Sequence, residues 1–361
     1  MSFDLGKIGQ NILQQVFHQR ETPVAAKPAE TQAPQTVKPA DQFDAAGTAR
    51  AANPTPSDAQ LLPMMNEAFG IEDYQPVPAR VAEIKTHEPE HMVNAWKELT
   101  ADGSLSKADA AKLDRKMGDV RIFGHNFKDG MDTLEAKFIA ARLADPSVNI
   151  DPNVRQSYEQ RLAARQERME SGEVMSGTFL HGDRIHELTE GHVNVPFEQF
   201  IDLMPADRWA VNLSDYRGGE VKITETDSQG RVVRQEERMV TETPFSKIFP
   251  KLFEPNDMTK VEVIDYQNDK ITVQWEVLDS VNRTTLMDIG SLTFMRDGDG
   301  TKIQLESEHV IDAFPGALDT IEHIPVAHRG YNELTATVMR NYFSDCIERY
   351  QKIGRGEIPA R

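Results

Sequence analysis

Apolar positions change their spacing near Gly172. Before it they recur at three- and four-residue intervals, the signature of helices; after it they alternate with polar residues, as in half-buried strands. The alternating part predicts strands over 184–195, 219–227, 231–240, 258–266, 270–279, 284–296 and 301–311. Turn residues separate several of them: Asp227 to Gly230, Gln267 to Asp269, and Asp297 to Gly300. Such serial hairpins describe an antiparallel meander. A long helix then closes the chain from about Val326 to Ile353. Its apolar face carries Tyr331, Leu334, Val338, Tyr342, Cys346 and Tyr350, flanked by Met339, Phe343 and Ile347. That face is too wide for a helix resting on a flat surface and suits one wrapped by a curled sheet.

Residues 80–172 predict helices. Met92, Val93, Trp96 and Leu99 form one stripe, after a Pro89 suited to a first turn. Ser106 and Asp109 read as a cap with an acidic first turn, and Gly118 as a stop. Asp132 and Glu135 make a capping-box pattern ahead of Leu134, Phe138 and Leu143, and Asp145-Pro146 ends that helix. Asp151-Pro152 opens a longer, mostly polar helix with Val154, Tyr158, Leu162 and Met169 as a narrow stripe.

The first 79 residues differ again. Residues 1–20 hold a short amphipathic segment with Phe3, Leu5, Ile8, Ile12, Leu13, Val16 and Phe17 at helical spacing. It reads either as a helix docking on its own protein or as a peptide that docks on a partner. Residues 21–79 are rich in Ala, Pro, Gln and Thr and predict a disordered linker, because scarce large apolar residues cannot offset the entropy of ordering. Leu61 to Phe69 is its one apolar island.

Three features of the C-terminal half resemble a known superfamily. The run from Val193 through Pro196 and Glu198 to Phe200, followed by Leu203 and Trp209, is a strand passing through proline into a helix. Gly290 to Phe294 and Gly300 to Leu305 are two late strands joined by a tight turn, and the wide-faced terminal helix follows. In this order they resemble the START-like, pollen-allergen-like helix-grip superfamily, which includes polyketide cyclases and aromatases. The resemblance implies an α+β protein: a helix-grip domain over 173–361, preceded by a small all-α segment and a disordered linker. It also implies a cavity between sheet and helix for a lipid or other hydrophobic small molecule.

Candidate lining residues follow from strand faces. Ile303, Leu305, Ser307, His309 and Ile311 share one face, and Ile271, Val273, Trp275 and Val277 share another. Ser307 and His309 read as anchors for a ligand head group, with Trp275, Val338 and Tyr342 as walls. The competing reading is a core histidine satisfied by its neighbours, with tryptophan as ordinary core. No residue matches a catalytic acid or base of the superfamily's enzymes, so binding without catalysis is the leading expectation and a cyclase, aromatase or hydrolase the alternative. His181, His186 and His192 lack ligand spacing, and His323 and His328 flank a proline; no metal site is expected from them.

Glu98 to Asp109 resembles a divergent EF-hand loop. Gly103 falls at the sharp turn and Leu105 at the apolar position that pairs with a second loop. Glu98, Thr100, Asp102, Ser106 and Asp109, with the carbonyl of Ser104, fall at the ligand positions. Aspartate in place of the last bidentate glutamate shortens that arm, so calcium affinity should be poor. A partner loop at Ser147 to Asp151 has the same apolar-then-cap pattern without the glycine. A pair that kept its packing and largely lost its ion is the plain reading, with a role as a protein-interaction module.

Composition narrows the partners. The 361 residues carry a net charge of −18, against a nucleic-acid surface and against anchoring on anionic lipid. One cysteine, Cys346, excludes an internal disulfide. No apolar run is long enough to span a bilayer, and MSFDLGKIGQ lacks the features of a secretory signal. A cytoplasmic protein that requires no cofactor is the expectation, with export lacking such a signal left open.

Overall fold

The computed structural model describes residues 76–118, 131–242, 255–281, 285–312 and 324–361. The amphipathic segment 1–20, the linker as far as residue 75 with its apolar island, and His323 lie outside the described residues. The described residues fall within a single unit, Pro54–Arg361.

Eight strands form one antiparallel sheet in the order β3-β4-β10-β9-β8-β7-β6-β5. They are β3 (Met175–His181), β4 (Arg184–Val193), β5 (Tyr216–Thr226), β6 (Val232–Thr241), β7 (Asn256–Tyr266), β8 (Lys270–Ser280), β9 (Thr285–Asp297) and β10 (Gly300–Ile311). From β5 to β10 the sheet is the predicted meander. The chain's first hairpin, β3–β4, joins the far side of β10, with Thr301 opposite Val193 and His309 opposite Ile185. Strand β3 was not among the predicted strands: Gly177 and the run Ser176, Gly177, Thr178 blur its alternation. Pro196 ends the strand conformation after β4, and α6 (Phe197–Leu203) and a 3-10 turn (Ala206–Asn212) carry Phe200 and Trp209 into the core.

The terminal helix, α7 (Pro325–Gly354), has 30 residues, about 45 Å of length at 1.5 Å per residue. Its buried stripe is Met339, Phe343, Cys346, Ile347 and Tyr350, packed on Val273, Leu292, Phe294, Ile303 and Leu305 of the sheet. Gly191 of β4 makes close approach possible, because a Cβ there would lie 2.5 Å from Ile347 Cγ2. The sheet and its gripped helix constitute an α+β helix-grip fold.

The sheet's other face is also covered. Helix α1 (Val77–Ile84) starts inside the segment that composition reads as linker, and it buries Val77, Val81 and Ile84 against Val261 and Ile289. Helices α2 (Glu90–Leu99), α3 (Lys107–Gly118), α4 (Thr133–Ala144) and α5 (Pro152–Glu170) hold their own core around Trp96, Leu113, Phe138 and Tyr158. The expected caps are present. Asp132 and Glu135 form a reciprocal capping box, Ser106 Oγ accepts the Asp109 N–H at 3.2 Å, and Asp151 accepts from Asn153. Leu134 of α4 then packs on Phe179 and Leu188. Among the described residues no helix is long and apolar enough to cross a membrane.

In the helical segment, Ser104–Leu105 (β1) pairs with Asn149–Ile150 (β2) as two short parallel strands.

Candidate functional site

Between α7 and the sheet lies a cavity that is partly open to solvent. Strand alternation builds its wall. Trp275 of β8 and Leu305 of β10 point towards α7, which returns Met339 and Phe343. Trp209 lies 5.1 Å from Trp275 between ring centroids. Met239 and Met258 complete a flexible, polarisable surface.

Polar groups gather where β6 ends and β7 and β9 begin. Thr241 is opposite Asn256, and Asn256 Nδ2 donates to Thr285 Oγ1 at 2.9 Å. Asp288 faces the same cavity and accepts the Trp275 indole N–H at 3.0 Å. Burial pushes its carboxyl up to about 6, against the pull of that hydrogen bond and of Lys260. Tyr342 donates to the buried Asp215 at 3.1 Å, and burial raises its phenol well above the ordinary value.

Lys260 is buried beside these groups. Its ammonium lies 2.7 Å from Glu262 and 3.1 Å from Glu237, and 4.1 Å from the Trp209 ring centroid. Glu262 also accepts from Trp209 at 2.8 Å and Gln235 at 2.6 Å. Burial opposes the lysine's charge, yet the two glutamates hold its affinity for the proton above the ordinary value. Each buried charge therefore has a partner, the condition for keeping it ionised in the interior.

Of the sequence-derived candidates, Trp275 and Tyr342 line the cavity, while Ser307, His309 and Val338 do not. Val338 is half-buried on α7. Ser307 and His309 point from β10 towards α7, with the His309 ring 5.8 Å from Phe343. Neither ring nitrogen nor the Ser307 hydroxyl has a hydrogen-bond partner among the described residues. Burial, with the nearby His186, depresses the His309 imidazole to about 3. Sequence reasoning missed Lys260 and Asp288, because a charged residue in an alternating strand reads as solvent-facing, and Asp215, which lies in the turn before β5.

The calcium-loop candidates are engaged locally. Glu98 pairs with Lys116 at 2.5 Å, and Asp109 with Lys112 at 2.8 Å and Ser106 at 2.6 Å. Asp102 accepts from the Ser104 amide and hydroxyl, and the Thr100 hydroxyl donates to the Trp96 carbonyl. Among the described residues a different group, His87, His186 and Glu308, brings three metal-binding atoms together. His192 stands apart beside Asp297, and His328 sits in the first turn of α7.

No protein-family model and no curated protein matches the chain. Solved structures similar to its C-terminal half include the Zhui aromatase/cyclase from Streptomyces sp. R1128. It is 16% identical, covering 48% of this chain and 96% of that one, with a TM-score of 0.34. A STAR-related lipid transfer protein fragment from Xanthomonas axonopodis is 14% identical, covering 46% and 92%, with a TM-score of 0.30. Human StAR-related lipid transfer protein 5 is 14% identical, covering 56% and 95%, with a TM-score of 0.31. The fold assignment stands on the strand order and the gripped helix described above.

Proposed function

We propose that this chain binds a lipid-like or other apolar small molecule in the cavity between α7 and the sheet, and holds it without converting it. The observation that carries this reading is the division of the cavity wall. Tryptophan, methionine, leucine and phenylalanine make most of the wall, and Asp215, Thr241, Asn256, Lys260, Thr285 and Asp288 are its polar members. An apolar ligand body gains the hydrophobic contribution along the first, and its head group is oriented by the second. The ion cluster at Lys260 is satisfied by protein partners, which suits a wall more than a reacting centre.

Native mass spectrometry of the purified chain, with extraction of co-purified small molecules, tests the proposal. Bound apolar mass that is lost on denaturation is expected, and Trp275→Ala is expected to lower its occupancy. An empty protein that takes up no member of a broad apolar panel overturns it.

One observation favours a second reading. A carboxyl raised to about 6 beside a wall of aromatic rings is suited to general acid–base work, as a cyclase would need. Conversion of a bound ligand, lost in Asp288→Asn while binding persists, distinguishes an enzyme from a carrier.

A further inference from the structure

On the sheet face away from α7, three imidazoles converge on one carboxylate oxygen. Glu308 Oε1 is approached by Nδ1 of His87 at 2.5 Å, of His181 at 3.2 Å and of His186 at 3.4 Å. His186 and Glu308 have no exposed side-chain surface, while the side chains of His87 and His181 are 16% and 45% exposed. The cluster is thus closed on the sheet side and reachable from the loop side. A carboxylate oxygen offers two lone pairs, so three ring nitrogens exceed what it can serve by hydrogen bonding. A shared cation relieves that crowding.

We propose that His87 Nδ1, His186 Nδ1 and Glu308 Oε1 bind a divalent transition ion of the zinc class, with His181 or a water in the fourth position. The three ligand atoms lie within 4.8 Å of one another. Zinc bonds of about 2.0–2.1 Å set a tetrahedral edge of about 3.3 Å, close to the His186–Glu308 separation. His87 must retract by about 1 Å from its direct contact to reach such an edge. It lies between α1 and α2, outside any helix or strand. Two imidazoles and one carboxylate favour a borderline transition ion over calcium or magnesium, which prefer all-oxygen sites.

The surroundings prepare these ligands. His186 Nε2 faces Glu306 Oε1 at 3.2 Å, which fixes the tautomer that leaves Nδ1 free to ligate. Glu306 is held by Lys137 Nζ at 2.5 Å, and that ammonium also donates to the Lys85 carbonyl at 2.9 Å. Phe179 stacks on His186 at 4.6 Å, and Arg184 lies 3.4 Å from the other Glu308 oxygen, leaving Oε1 for the ion. The bound ion would fasten the α1–α2 connection to β4 and β10, tying the helical segment to the sheet. Its ligands are too far apart in sequence to form a motif, so nothing local advertises them.

The test uses the full chain, stripped with a chelator and titrated separately with Zn²⁺ and Co²⁺. One ion per chain, a tetrahedral Co²⁺ absorption band and a zinc-dependent rise in thermal midpoint are expected. His186 and Glu308 are fully buried ligands, so the deciding variant is at the partly exposed His87. His87→Ala is expected to lose the Co²⁺ band and the zinc-dependent rise. Glu306→Gln keeps all three ligands and is expected to weaken binding about 10–100-fold. His192→Ala, outside the cluster, is expected to bind as the unsubstituted chain does. Absence of stoichiometric binding by the unsubstituted chain overturns the proposal. So does a His87→Ala variant that binds undiminished, or loss of binding in a His192→Ala variant whose circular dichroism and thermal midpoint without metal match those of the unsubstituted chain.

Discussion

Trp275 and Asp288 are a donor–acceptor pair on adjacent strands, the indole N–H of β8 meeting the carboxylate of β9 at 3.0 Å inside the cavity between α7 and the sheet. The tryptophan thus serves both as cavity wall and as a hydrogen-bond donor to a carboxyl that burial has raised to about 6.

That raised value sets a pH dependence. The ordinary aspartate value is 3.8, so between about 4 and about 6 the folded chain keeps a proton that the unfolded chain releases. Stability from this site falls as pH rises through that window, and the cost above it is about 3 kcal/mol. Asp288→Asn retains an acceptor for Trp275 and has no charge to desolvate. Its stability relative to the unsubstituted chain is expected to rise from about pH 4 to about pH 6 and level off above. Urea denaturation across the window checks this; a pH-independent difference contradicts it.

The Lys260 cluster makes a second case. Lys260→Met leaves Glu237 and Glu262 as neighbouring buried carboxylates without their cation. A loss of about 3–5 kcal/mol is expected. Adding Glu237→Gln should recover part of it, because Glu262 keeps its bonds from Trp209 and Gln235. Unfolding free energies of the single and double variants decide the matter.

Gly290 controls the space around Trp275. A Cβ there would fall 2.5 Å from Trp275 Cζ2 and 2.6 Å from Ser307 Cβ, with the Glu306 carbonyl at 2.8 Å. Gly290→Ala is expected to cost about 1–3 kcal/mol and to push Trp275 into the cavity. Lower uptake of an apolar probe together with a lower thermal midpoint is the expected pair of results.

The capping box of α4 is testable by itself. Asp132 accepts the Glu135 amide at 2.7 Å, and Glu135 accepts the Asp132 amide at 3.2 Å. Asp132→Ala is expected to cost about 1 kcal/mol and Asp132→Asn less, because asparagine is also a good cap. Chemical denaturation of both variants measures the difference.

Much of the local structure was legible in the chain. The alternation from 184 to 311, the turns at Asp227 to Gly230 and Asp297 to Gly300, the caps at Ser106, Asp132 and Asp151, and a final helix near Val326 to Ile353 depend on neighbours a few residues apart. Such patterns are set by backbone period and capping chemistry, which act within a turn or a hairpin. The sheet and its gripping helix follow from them.

Only the tertiary structure decided what covers each face. Alternation places Glu306 and Glu308 opposite to Leu305 and Ser307, which reads as a solvated face against a core face. Helices α1 and α4 instead cover that outer face, so His186, Glu306 and Glu308 are buried, and His87 meets a residue 221 positions away. Likewise Asp288 and Lys260 look like surface charges until α7 and Trp209 close over them. The period of a strand determines which side a residue takes. Whether that side meets water, a helix or a cavity is settled by packing between distant segments, and with it the protonation and the chemistry of the site.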